Sequence, residues 1–210
     1  MKFVVFMACF VSASAELKQM EAGLQLAQRL PGIVIDIGAN GGHETKLALT
    51  NGRKVLAIEC LSSAYADLLK RFGAIHSVVL LHVCAGAHTS VRTLHLADDS
   101  SSLIANNIAS GPERQKALRS HNKLRNNREM IVTVPLDDLV DNSTQVAMIK
   151  MDVQGFEPQV MQGAANIIQR HHPVLIYEDN SQFTKESAIR LPFGYQCTTV
   201  NGDKVCHYLM

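Results

Sequence analysis

The sequence predicts an α/β fold of the doubly wound, Rossmann-like kind, with a mostly parallel seven-stranded sheet and a C-terminal antiparallel hairpin. Three observations predict it. Short apolar, β-branched runs alternate with stretches of helical periodicity from Ile33 onward, the pattern of consecutive βαβ units. The first of these runs leads into the glycine-rich stretch Gly38-Ala39-Asn40-Gly41-Gly42, and others end on Glu59, Asp152 and Glu178. Near the carboxyl end, Asn201-Gly202 is the dipeptide preferred in a two-residue type I′ hairpin.

The 210 residues fit a single domain, and 47% are hydrophobic, enough for a sizeable core. Trp is absent and aromatics are 5%, so that core must be aliphatic. The net charge of +1 points to no partner. Between Gly111 and Met130, however, six basic residues (Arg114, Lys116, Arg119, Lys123, Arg125, Arg128) face two acidic ones, Glu113 and Glu129. This is a solvated helix face or a patch facing an anionic substrate or surface. No aromatics are interleaved with the charges, so no nucleic acid is expected as a partner.

Lys2, the apolar run 3–11 and the small residues Ala13-Ser14-Ala15 read as a signal peptide over residues 1–15, with the domain following over 16–210. A buried first strand is the competing reading. No later run is long enough to span a bilayer, so the mature chain is expected in the secretory lumen or outside the cell, without membrane attachment.

Residues 16–30 have helical spacing and stop at Pro31-Gly32. Strands follow at 33–37, 55–58 and 77–83, separated by helices through Leu47 and Leu49 and over 63–72. Residues 91–96 alternate apolar and polar, as a half-exposed strand does; 98–112 read as a loop and 113–127 as the basic helix. Further strands are expected at 129–134, 146–151 and 173–177, with a turn and short helix at 135–140 and one helix over 156–169.

Cys9 leaves with the leader, which leaves Cys60, Cys84, Cys197 and Cys206, an even number that permits disulfides in an exported chain. Counting outward from Asn201-Gly202 pairs Val200 with Asp203 and Cys197 with Cys206. That is a non-hydrogen-bonded pair with a Cα separation of about 4.5 Å, a distance a disulfide spans. Cys60 and Cys84 follow neighbouring strands and form either a second bridge or two small buried residues. Asn142-Ser143-Thr144 is a glycosylation sequon, meaningful only in the secretory pathway.

In an open parallel sheet, ligands bind at the carboxyl ends of the strands near the switch in strand order. Asp36 and the loop 38–42 lie at the first end, and Glu59, able to accept both hydroxyls of a ribose, at the second. The glycines fall as G-x-x-G-G with Asn40 where a pyrophosphate site wants its second glycine. A sulfonium nucleoside without phosphates fits better than a dinucleotide, and an ordinary structural turn is the plain alternative. At the third end, Lys150 and Asp152 share a face two residues apart, as a structural ion pair or a used one. Glu157 either serves the site or places its charge at a helix start.

Together the segments Val34-Ile-Asp-Ile-Gly-Ala-Asn-Gly-Gly42, Val134-Pro-Leu-Asp-Asp-Leu139 and Ile149-Lys-Met-Asp-Val-Gln-Gly-Phe-Glu157 resemble the FkbM family of methyltransferases. The resemblance runs from about residue 33 to 178 and implies a class I methyltransferase fold with S-adenosylmethionine as cofactor, usually methylating an oxygen. By position, Asp36, Gly38, Ala39, Asn40 and Gly42 would hold the cofactor's amino-acid end and Glu59 its ribose. Lys150, Asp152 and Glu157 would lie near the transferred methyl group, with Asp152 as general base, also touching the cofactor, and Lys150 orienting it. Two departures stand out: Gln154 replaces the usual glutamate, and His43 stands where an apolar residue is common. Asp152 and Glu178 could instead share a metal, but no histidine sits at ligand spacing, so no metal is expected. The expected acceptor is a small molecule or a glycan hydroxyl, in a pocket shaped by residues 85–130 including Ser100-Ser101-Ser102. A secreted binding protein that keeps the fold without catalysis is the alternative, because S-adenosylmethionine is made in the cytosol.

Overall fold

A computed structural model describes residues 17–95, 128–178 and 189–209. The leader, the loop 98–112 with Ser100-Ser101-Ser102, and the basic segment 113–127 therefore lie outside the described residues. The strands are β1 (Ile33–Ile37), β2 (Val55–Glu59), β3 (Val78–His82), β4 (Cys84–Ala85), β5 (Ser90–His95), β6 (Arg128–Val134), β7 (Val146–Met151), β8 (Val174–Glu178), β9 (Tyr195–Val200) and β10 (Asp203–Tyr208). The helices are α1 (Lys18–Leu26), α2 (His43–Thr50), α3 (Ser62–Phe72), α4 (Leu136–Leu139), α5 (Glu157–Gly163) and α6 (Ala165–His171).

Seven strands form one sheet in the order β3-β2-β1-β7-β8-β10-β9. β10 runs antiparallel to both neighbours, and the other pairings are parallel. The strand order reverses between β1 and β7, which opens the crevice where such sheets bind ligands. β2 and β7 are buried along their whole lengths, as central strands covered on both faces must be. Alternate residues feed two cores. Ile35, Ile37, Leu175 and Tyr177 meet Val160, Ile167 and Ile168 on one face. Val34, Val174 and Ile176 meet Met20 and Leu24 of α1 on the other.

β4, β6 and β5 form a separate three-stranded sheet, an arrangement the sequence did not foretell. The Cys60–Cys84 disulfide joins the end of β2 to the start of β4, so it ties the two sheets together. The hairpin matches its sequence reading. Asn201 and Gly202 have φ of +54° and +95°, Val200 faces Asp203, and Cys197 and Cys206 form a disulfide with Cα atoms 4.0 Å apart.

The expected single helix over 156–169 is two helices broken at Ala164. Gly163 lies against the chain after β4, where a Cβ would come within 2.0 Å of the Gly86 carbonyl oxygen. The second helix then starts afresh. Its Asn166 and Ile167 N–H groups donate to the two oxygens of Asp137, each at 3.0 Å. Asp137 comes from the Leu136-Asp137-Asp138-Leu139 motif, so one carboxylate of that motif caps a helix. Asp137→Ala strips both N–H groups of their acceptor and should lower stability by about 1–2 kcal/mol. Urea titration checks this, and an unchanged midpoint would remove Asp137 as the cap.

Candidate active site

The glycine-rich loop is folded by its own backbone and by Glu59. Gly38 and Ala39 donate N–H bonds to the Ile58 carbonyl at 2.9 and 3.2 Å. Asn40, at φ +41°, donates its N–H to Glu59 Oε2 at 2.8 Å. The other Glu59 oxygen accepts the Leu61 N–H at 2.8 Å. Glu59 thus holds the β1–α2 loop against the end of β2, and each oxygen keeps a lone pair for a further donor. Two glycines are required by close approach. At Gly38 (φ +75°) a Cβ would lie 1.9 Å from the Asp152 carbonyl oxygen; at Gly42 (φ +71°) one would lie 2.4 Å from the Phe72 ring. Gly38 lets the ends of β1 and β7 meet, and Gly42 lets α2 pack on α3.

Beneath this loop lies a buried ionic cluster. Asp36 and Lys150 are register partners across β1 and β7. Asp36 is fully buried, and Lys150 is 4% exposed. Thr45 donates its hydroxyl to Asp36 Oδ2 at 2.7 Å. Lys150 Nζ stands 3.5 Å from Asp36 Oδ1, 3.4 Å from the Gly38 carbonyl oxygen and 3.8 Å from Asp152 Oδ2. At 3.5 Å the contact with Oδ1 is ionic rather than a good hydrogen bond, and among the described residues that buried oxygen has no closer donor. Burial alone would pull the Lys150 ammonium down, but the carboxylates of Asp36, Glu44 and Asp152 outweigh it and hold its pKa above the ordinary lysine value.

Asp152 emerges from this cluster. Its side chain is 47% exposed, and Gln154 donates its amide to Asp152 Oδ1 at 3.0 Å. Beside it opens a cavity of about 460 Å³. Met151, Asp152 and Gln154 line it from the end of β7, Glu178 from β8, Asn201 and Asp203 from the hairpin, and Gln19 and Glu44 from α1 and α2. Asp203 is half-buried beside its register partner Glu178. Burial, then the charges of Asp152 and Glu178, push its pKa up to about 6.

The structure brings Asp36, Gly38, Ala39, Asn40, Gly42 and Glu59 to one end of the sheet with Lys150 and Asp152. Glu157 is separate. It is buried, and its Oε1 accepts the N–H groups of Val153 and Gly155 at 3.1 and 3.2 Å, closing the turn after β7. Burial raises its pKa, and those backbone donors oppose the rise. Glu44 and Asp203 escaped the sequence reading. Glu44 lies in the first turn of α2, where an acidic residue is unremarkable in sequence. Asp203 follows the Asn-Gly turn, but its place beside Glu178 depends on β10 inserting next to β8, which hairpin register alone does not reveal.

The sequence profile described as the methyltransferase FkbM domain matches residues 36–196. The chain belongs to the FkbM methyltransferase family. Its fold is the class I methyltransferase fold. It is similar to an FkbM methyltransferase of Methylobacillus flagellatus KT, with 17% identity and a TM-score of 0.51. That match covers 92% of this chain but 60% of the other, so this FkbM domain spans well under two thirds of that protein. It is also similar to the yhhF protein of Escherichia coli, designated a methyltransferase, with 10% identity, a TM-score of 0.51 and coverage of 94% and 88% of the two chains. Among curated proteins, none matches by sequence.

Two outcomes follow from the ionic groups of this FkbM domain. Lys150→Met removes one partner of a buried pair and should destabilise the fold by about 3–5 kcal/mol, with most of it recovered on adding Asp36→Asn. Denaturant titration of the single and double variants measures this, and equal losses in both would refute the pairing. Asp203 binds its proton more tightly in the folded chain than in the unfolded one. It therefore costs stability progressively as pH rises from 3.8 to about 6, and in full above that. Asp203→Asn should melt higher than the parent at neutral pH and converge with it below the unfolded value; a lower midpoint at neutral pH would contradict this.

Proposed function

We propose that this FkbM domain is an S-adenosylmethionine-dependent O-methyltransferase of the secretory pathway or extracellular space, acting on a hydroxyl of a small molecule or a glycan. The observation that carries the reading is the meeting of the 38–42 loop, Glu59 and the half-exposed Asp152 at the switch in strand order, with Asp152 also lining the cavity. The loop bends in the left-handed region at Gly38, Asn40 and Gly42, as a close backbone cradle requires. Glu59 has the lone pairs to accept ribose hydroxyls. S-adenosylmethionine, when bound, supplies a methyl group on a sulfonium centre.

The remaining work falls to this chain's own side chains. Asp152 accepts the proton of the acceptor hydroxyl, held by Lys150 on one oxygen and by Gln154 on the other. The Gln154 departure is benign in this geometry, because its amide donates to Asp152 where a glutamate would add a second negative charge. Glu157 acts by holding the turn that carries Asp152 and Gln154. Aligning acceptor and donor supplies much of the rate. Two disulfides suit an oxidising compartment, and no described helix is long and apolar enough to cross a membrane.

Calorimetric titration with S-adenosylmethionine tests the cofactor. Binding should weaken about tenfold to a hundredfold in Glu59→Ala, which loses charged hydrogen bonds to the ribose. Asp152→Ala should keep most of the binding and lose about 10²–10⁴-fold in methyl transfer to a fractionated extract supplied with methyl-labelled cofactor. Absence of binding heat in the parent protein would favour a binding module without catalysis. Full turnover in Asp152→Ala would remove it as the base.

A further inference from the structure

We propose that Asn142 is an asparagine-linked glycosylation site and that its glycan stands on the side of the molecule away from the active-site cleft. Asn142-Ser143-Thr144 is the single sequon of the chain. It occupies the turn between α4 and β7, and Asn142 and Ser143 are exposed. The turn is pinned without using the groups that matter for modification. Asp141 Oδ1 accepts the N–H and hydroxyl of Ser143, and the Thr144 N–H reaches the Asp141 carbonyl at 2.9 Å. Arg170 donates to the Asn142 backbone carbonyl at 3.2 Å. Among the described residues nothing hydrogen-bonds the Asn142 amide or the Thr144 hydroxyl, the two side-chain groups the sequon requires.

Position in the sheet makes the site compatible with activity. β7 starts just after the sequon and ends next to Asp152. Six extended residues carry the chain about 20 Å from the amino ends of the strands to the carboxyl ends. A bulky, hydrophilic glycan at Asn142 therefore covers the α4–β7 turn and leaves the cavity open. In the reaction the Asn142 amide nitrogen bonds to C1 of an oligosaccharide carried on a polyprenyl diphosphate. The sugar–diphosphate bond breaks, polyprenyl diphosphate leaves, and the amide gives up one proton.

This site rests on the secretory reading of the chain, and the experiment separates the two. The full chain is produced in eukaryotic secretory cells twice, once with its own residues 1–15 and once with those residues replaced by an established signal peptide. The purified proteins are treated with an amidase that cleaves the glycan–asparagine bond, and their masses are compared. With the replacement leader, the expected result is a mass loss on treatment with Asn142 converted to aspartate. Asn142→Gln and Thr144→Ala should abolish it, and Thr144→Ser should keep it. All three variants should melt with the parent, because neither altered side chain holds the turn. Secreted, folded protein without a mass shift in this arm overturns the site. A shift with the replacement leader but not with the native one upholds the site and overturns the secretory reading.

Discussion

A lysine ammonium at the middle of a covered parallel sheet is affordable only against a carboxylate, and Asp36 and Lys150 meet because β1 and β7 place them opposite each other. Much of the site hangs on that meeting. Lys150 reaches the Gly38 carbonyl and Asp152 from the same nitrogen, so one buried charge holds the loop of the first half against the strand end of the second. Thr45 donates to Asp36 Oδ2 from the first turn of α2, which ties the start of that helix to β1. A misregistered β1–β7 pair would bury two unmatched charges, so the pair selects register as well as geometry.

Glu59 plays the corresponding part on the other side of β1. Its two oxygens take backbone N–H groups from the loop and from the residue leading into α3. The glycine-rich loop is therefore shaped by bonds already present in the free chain, ones a flexible loop would have to form at the moment of any binding. Asp152 differs from both in standing half in solvent, and it gains from the buried cluster a fixed position without losing its access to the cavity.

Periodicity and punctuation made the strands, most helices and the hairpin legible, because each is decided by residues close in sequence. The Cys197–Cys206 bridge is the clearest case: the Asn-Gly turn sets the register and the register sets the pairing. The ion pair of Lys150 with Asp152 was legible for the same local reason, whereas its partnership with Asp36 needed strand order. Features created by distant chain meeting locally plain sequence were not legible. The break at Ala164 comes from Gly163 resting on Gly86, and Asp203 joins the cavity only through the place of β10 in the sheet. Nor was it legible that Glu157, a conspicuous motif carboxylate, satisfies the backbone of its own turn.

The positions of the two disulfides bear on how the chain is assembled. They span 24 and 9 residues: one ties the end of β2 to the start of β4 in the smaller sheet, and the other closes the hairpin of β9 and β10. Among the described residues no covalent link crosses from β1 to β7, where Gly38 and Lys150 touch across 112 residues of sequence. Each native bridge can be sealed soon after its own segment is synthesised, without waiting for the halves to meet. Their union is left to a reversible, non-covalent search, in which long-range strand pairing is the slow step.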